Sequence, residues 1–166
     1  MDNSGKKSLA LHKKFRGKLK TASKVPLNNL ADLALAYTPG VGAVSQSIHK
    51  DERLAEIYTN LKNTVAVITD GSAVLGLGNI GPKAALPVME GKCVLYKKFA
   101  DIDAYPICLD TQDTESIIQT VKFIAPAFGA IHLEDIAAPR CFEIERRPPC
   151  RERSSSHQFN QFGRPE

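Results

Sequence analysis

Three glycines in the stretch LGLGNIG, Gly76, Gly78 and Gly81, have the G-x-G-x-x-G spacing with which a loop brings bare backbone against the phosphates of a dinucleotide. A second stretch, GAIHLED at 129–135, ends in two adjacent carboxylates, Glu134 and Asp135. At the end of a strand such a pair reads either as active groups or as the acidic cap of the following helix. Cys93, Cys108, Cys141 and Cys150 are widely spaced with no C-x-x-C pair, so they read as small core fillers rather than as zinc ligands or a disulfide framework. Lys83, His49, His132 and His157 read as ordinary solvated or packing residues.

The glycine spacing has meaning only on the right elements. A dinucleotide fold puts its glycines directly after a buried strand of a parallel βαβ unit. Residues 64–69 are β-rich, but Asp70-Gly71 is the strongest hairpin signal in the chain, with residues 73–75 returning as a second strand. On that reading the glycines follow a hairpin arm and their spacing is weak evidence. Pro82 suits the first turn of a helix over 83–90. A short strand follows at 106–110, and Asp113 caps a helix whose apolar stripe is Ile117, Ile118, Val121 and Ile124. GAIHLED is the next strand. Upstream, residues 6–25 form a basic helix or arm, ADLALA is helix-like and runs into the turn at Pro39-Gly40, and a helix spans 45–60. The alternation of strand and helix predicts an α/β, three-layer-like domain. Its sheet is mainly parallel with helices on both faces, a helical N-terminal arm precedes it, and its active groups lie at the carboxyl ends of the strands.

Composition fits one water-soluble domain. The chain has 166 residues, 43% hydrophobic and 24% charged, with net charge +4. No apolar run approaches the roughly 18 residues of a membrane span, and the N-terminus lacks the apolar core of a secretory signal, so a cytoplasmic protein with no membrane contact is expected. The basic charge sits at the ends: residues 1–25 carry eight Lys or Arg against one acid, and residues 146–166 five against two. Apart from Phe15, no aromatic residue interleaves with the N-terminal lysines, so basic solvated ends are the reading and no nucleic-acid partner is expected. Beyond Arg147 the periodic pattern stops and Pro, Arg and Ser replace aliphatic residues, the composition of a disordered tail.

Three separated stretches, AYTPGVG from Ala36, TDGSAVLGLGNIGPKAALPVMEGK from Thr69 and HLEDI from His132, together resemble the N-terminal substrate and metal domain of malic enzymes, in particular the small-subunit bacterial type. The resemblance runs from about Leu9 to Arg146. It implies oxidative decarboxylation of malate to pyruvate and CO2 with NAD or NADP and a divalent cation, Mg2+ or Mn2+. Tyr37, in the Tyr-Thr-Pro turn, matches the family's general acid. Lys92, after Pro-Val-x-x-Gly, matches its general base. Glu134 and Asp135 match two of three acidic metal ligands. A lysine accepts the C2 hydroxyl proton only in its neutral form, which burial or a nearby cation favours. Carboxylates hold the hard cation that polarises the C2 oxygen. Because the family's main dinucleotide fold lies in a separate C-terminal domain, Gly76, Gly78 and Gly81 become a cleft loop touching the cofactor's edge or the substrate.

The resemblance predicts three segments: a basic arm at 1–25, the malic enzyme domain at 26–147 and a divergent tail at 148–166. The family pattern would continue into a third metal-binding aspartate and the NAD(P)-binding domain. The chain therefore reads as an incomplete malic enzyme, expected to show no appreciable oxidative decarboxylation by itself, with a non-catalytic fragment or association module as the alternative. Malate, pyruvate and oxaloacetate are the implied ligands, and a homodimer the implied assembly.

Overall fold

A computed structural model of the chain describes residues 2–147; the tail expected at 148–166 lies outside them. In chain order the helices and strands are α1 (Asn3–Phe15), α2 (Leu30–Ala36), α3 (Val41–Lys50), α4 (Ala55–Tyr58), β1 (Thr64–Thr69), α5 (Pro82–Ala100), β2 (Asp103–Cys108), α6 (Thr114–Ile124), β3 (Ala130–Leu133) and α7 (Arg140–Arg146). Among the described residues they fall into two compact units, one made of 2–19 and 63–147, the other of Lys20–Lys62.

The first unit is built around a strand that cannot face water. All six residues of β1, Thr-Val-Ala-Val-Ile-Thr, are buried, the continuous β-branched run of a central parallel strand. β2 and β3 flank it in the order β2-β1-β3, both parallel to it, with Thr64 opposite Asp103 and Val65 opposite Ala130. Side chains alternate across the sheet. Ala66 and Ile68 meet Ile117, Ile118 and Val121 of α6 and Cys141 and Ile144 of α7, whereas Val65 and Val67 meet Met89 and Cys93 of α5. Helices thus cover both faces, as expected. Each fully buried aliphatic side chain contributes about 1.5–3 kcal/mol relative to exposure. Helix α6 starts where expected, with the Asp113 carboxylate accepting from Ser116 N at 2.8 Å. Burial pushes the Cys93 thiol up to about 12, which keeps it an unreactive core filler.

The N-terminal arm belongs to this unit. Helix α1 ends at Phe15, and Lys18 N then donates to Glu90 Oε2 of α5 at 2.9 Å while Lys18 Nζ donates to the Pro87 carbonyl at 2.6 Å. Between them Gly17 has φ +104, and a β-carbon there would meet Glu90 Oε1 at 2.9 Å.

The hairpin expected at Asp70-Gly71 does not form. β1 has β2 on one side and β3 on the other, so no free edge remains for a return strand, and Asp70 is fully buried instead of sitting at an exposed turn. Residues 70–81 make a loop closed on its own base, where Ile80 N and Gly81 N both donate to Gly71 O at 3.1 Å. Within the loop an isolated bridge joins Val74 to Gly78, a different pairing from the expected one with 64–69. The glycines therefore do lie in a parallel β1–α5–β2 unit, contrary to the hairpin argument, but Gly76 is seven residues past the strand. Gly71 has φ +70, and a β-carbon on it would stand 2.3 Å from the Gly81 carbonyl. Gly71→Ala is expected to cost roughly 2–3 kcal/mol through backbone strain and overlap, read as a lower urea midpoint.

Helix α5 continues through Gly91 to Ala100 rather than stopping near Glu90, and ends at Asp101 in the left-handed region, φ 53. In the second unit, the single helix expected over 45–60 is broken. α3 ends at Lys50, Asp51 is extended, and its carboxylate accepts from Arg53 N, starting a short 3-10 turn before α4. Among the described residues no helix is long and apolar enough to cross a membrane.

Candidate active site

The chemistry expected of Lys92, Glu134 and Asp135 converges at the carboxyl end of the sheet. Glu134 N donates to Ile68 O at 2.9 Å, which continues the β3 register one residue past the strand. Extended backbone puts His132 and Glu134 on one side of it, and α5 lies against that face. On α5 Lys92 and Tyr96 are four residues apart and project together. Lys92 Nζ stands 3.3 Å from Glu134 Oε1, with the lysine side chain 23% exposed and the glutamate 10%. The other carboxylate oxygen, Oε2, is 2.6 Å from His132 Nε2, and His132 Nδ1 is 2.5 Å from the Tyr96 hydroxyl. The two rings meet edge to face, centroids 5.7 Å apart. Burial raises the Tyr96 hydroxyl above its ordinary value, and the negative charge of Glu134 adds to this.

Asp135 takes a left-handed backbone, φ 53, which Asp tolerates better than most residues. Its Oδ2 is buried and has no hydrogen-bond partner. Burial, followed by the neighbouring charge of Glu134, pushes its carboxyl up to about 6, with Lys92 opposing. The folded chain therefore holds this proton more tightly than the unfolded chain, so stability falls as pH rises from about 4 to about 6 and is level above. Screening at a partly exposed group limits the change to on the order of 1 kcal/mol. Asp135→Asn should flatten that slope in urea melts run at pH 4.5 and 7.5.

A buried ion pair supports the two loops that shape this end. The Asp70 carboxylate accepts from Ser72 N at 2.9 Å, from Ser72 Oγ at 2.5 Å and from Arg140 Nη2 at 3.0 Å. Ser72 Oγ in turn accepts from Ala137 N at 2.8 Å, and Ala73 N donates to Asp135 O at 3.1 Å. The loop after β1 is thereby tied to the loop after β3.

The residues test the implied divalent cation in part. Two carboxylates side by side, one with an unsatisfied buried oxygen, suit a hard cation. Yet both oxygens of Glu134 already have partners, and no group of three or more His, Cys, Asp or Glu side chains arranged to hold a metal occurs among the described residues. The fit is that of part of a coordination sphere.

The structure brings Lys92, Glu134 and Asp135 together. Tyr37 lies in the other unit, where it ends α2: its N donates to Leu33 O, its O accepts from Val41 N, and its side chain is 65% exposed. Gly76, Gly78 and Gly81 occupy the loop before α5. A β-carbon at any of the three meets nothing within 4 Å, although Gly78 and Gly81 have φ +73 and +80. Sequence reasoning sets His132 aside and does not single out Tyr96, Asp70 or Arg140 for the site. The signal for the first two is present all the same: period two links His132 to Glu134, and a spacing of four links Lys92 to Tyr96.

Comparison with known proteins follows from this geometry. Residues 16–148 match the family described as malic enzyme, N-terminal domain. The NAD-dependent malic enzyme of Geobacillus stearothermophilus is 63% identical over 131 residues, 79% of this chain and 27% of the relative. The bifunctional malic/malolactic enzyme of Bacillus subtilis is 58% identical over 140 residues, covering 84% and 34%. The crystal structure of the NAD-dependent malic enzyme of Thermotoga maritima superposes with a TM-score of 0.82 at 54% identity, covering 84% of this chain and 37% of that one. The chain thus spans about a third of the length of these proteins.

Proposed function

The chain belongs to the malic enzyme family, within its N-terminal domain, and from that premise we propose that it forms the malate- and cation-binding part of an enzyme that oxidatively decarboxylates malate to pyruvate and CO2. The observation that carries the reading is Lys92 Nζ at 3.3 Å from Glu134 Oε1, beside the unpartnered oxygen of Asp135, at a sheet end where an α/β fold places its chemistry.

Two groups complete the chemistry when bound: Mg2+ or Mn2+, which polarises the C2 oxygen and stabilises the enolate, and NAD or NADP, which accepts the C2 hydride. Glu134 and Asp135 would hold the cation, together with oxygens from beyond the described residues. Lys92 takes the proton of the malate C2 hydroxyl as general base. Tyr37, by its place in the Tyr-Thr-Pro turn, protonates C3 of the enol left after decarboxylation. Gly76, Gly78 and Gly81 give the loop before α5 a side-chain-free surface toward substrate or the cofactor's edge. Leu30 and Leu35 of α2 are 83% and 78% exposed, apolar surface of the kind a second copy would cover; a cytoplasmic homodimer is the assembly we propose, and light scattering reads its mass.

A chimera in which residues 16–147 replace their counterparts in the Geobacillus stearothermophilus relative tests the function. Malate- and Mn2+-dependent NAD reduction at a rate comparable to the relative's own is expected. A folded chimera with no such activity would overturn the proposal.

A further inference from the structure

We propose that Tyr96 and His132 are positioning residues for the active site, a relay that fixes the Glu134 carboxylate so that Oε2 is held from behind and Oε1 is presented to Lys92. The inference rests on the catalytic reading above but deepens it, because neither residue is expected to touch substrate.

For a neutral imidazole the geometry points to one placement of the protons. An ionised carboxylate only accepts, so at 2.6 Å from Glu134 Oε2 the His132 Nε2 must carry hydrogen. In the neutral ring Nδ1 is then bare, and at 2.5 Å it accepts from the Tyr96 hydroxyl, which has one proton to give. Glu134 and Tyr96 thus favour the same tautomer, and the tyrosine, by holding the ring from behind, fixes the direction from which His132 meets Glu134. A ring nitrogen backed by a second hydrogen-bonding group is the usual way a protein orients a carboxylate or histidine around a cation. His132 is 1% exposed, so water cannot readily substitute for either partner. The arrangement also explains why a polar ring stands in the apolar row of β3: Ile131 and Leu133 face α6 and α7, while His132 faces α5.

Side-chain amides separate positioning from packing. The glutamine nitrogen reaches close to where Nε2 lies and the asparagine nitrogen close to Nδ1. His132→Ala in the chimera is expected to weaken Mn2+ binding, read by calorimetry, by about tenfold to a hundredfold. His132→Gln should restore most of that loss and His132→Asn should not. In 15N spectra of the wild-type chain His132 should show a protonated Nε2 and a bare, hydrogen-bonded Nδ1, and Tyr96→Phe should move the Nδ1 resonance toward that of a ring nitrogen with no donor. An Nε2 without hydrogen, a Tyr96→Phe spectrum identical to wild type, or equal rescue by asparagine and glutamine would each overturn the relay. A chimera that binds no Mn2+ would instead remove the cation from the proposed function, and the relay would stand or fall on the nitrogen spectra, which need no metal.

Discussion

In the chimera, Lys92→Ala is expected to lower kcat for malate oxidation about 10³-fold, within the range a positioned general base supplies. The effect belongs in kcat because the amine acts on the C2 proton and Mn2+ binding depends on carboxylates. Loss of the cation 3.3 Å from Glu134 removes a positive neighbour, so Mn2+ affinity should hold or rise. Lys92→Arg is the sharper variant. It keeps the charge and an ion pair with Glu134, but a guanidinium does not give up its proton in proteins, so it should be as inactive as alanine. Steady-state kinetics beside Mn2+ calorimetry read both quantities. Arginine-variant turnover near that of the parent would exclude Lys92 as the base.

Asp70→Ala is expected to destabilise the chain by roughly 3–5 kcal/mol, the cost of breaking a buried ion pair by removing one partner. Asp70 is fully buried and Arg140 is 28% exposed, so the mutation strands a guanidinium whose Nε is already without a partner. It also removes the acceptor for Ser72 and loosens the tie from Ser72 to Ala137. Replacing both members, Asp70→Leu with Arg140→Met, should cost less than Asp70→Ala alone, because no unpaired charge remains. Urea unfolding of the two variants beside wild type gives the comparison. A single variant within about 1 kcal/mol of wild type would mean that the pair contributes little, as exposed pairs do.

The parts of the fold legible from sequence are those whose signals are local and mutually consistent. The run at 64–69 and the stripe of Ile117, Ile118 and Val121 behind an Asp113 cap name their elements because burial and capping are written into adjacent residues. Asp70-Gly71 misleads because the same dipeptide serves an exposed hairpin or a buried loop. What decides between them is Arg140, seventy positions away. Asp51 breaks an expected helix locally: its backbone turns extended and its carboxylate accepts from Arg53 N at 3.1 Å. At the site, Lys92, Glu134 and Asp135 are readable through the family motifs. His132 is not, because a histidine in an apolar strand looks like filler until the tyrosine across the gap is known.

The pinning of the arm at Glu90 bears on how the chain is born. Lys18 finds its partner 72 residues downstream, after all of the Lys20–Lys62 unit has been made. At ribosomal speeds of about 5–20 residues per second, the first segment waits on the order of 4–14 seconds before its docking surface emerges. During that interval Lys18 lacks both of its acceptors on α5, Glu90 and the Pro87 carbonyl, while the intervening unit can already collapse on itself. Synthesis order therefore runs against assembly order: the leading end is made first, yet it cannot lock until α5 has followed it.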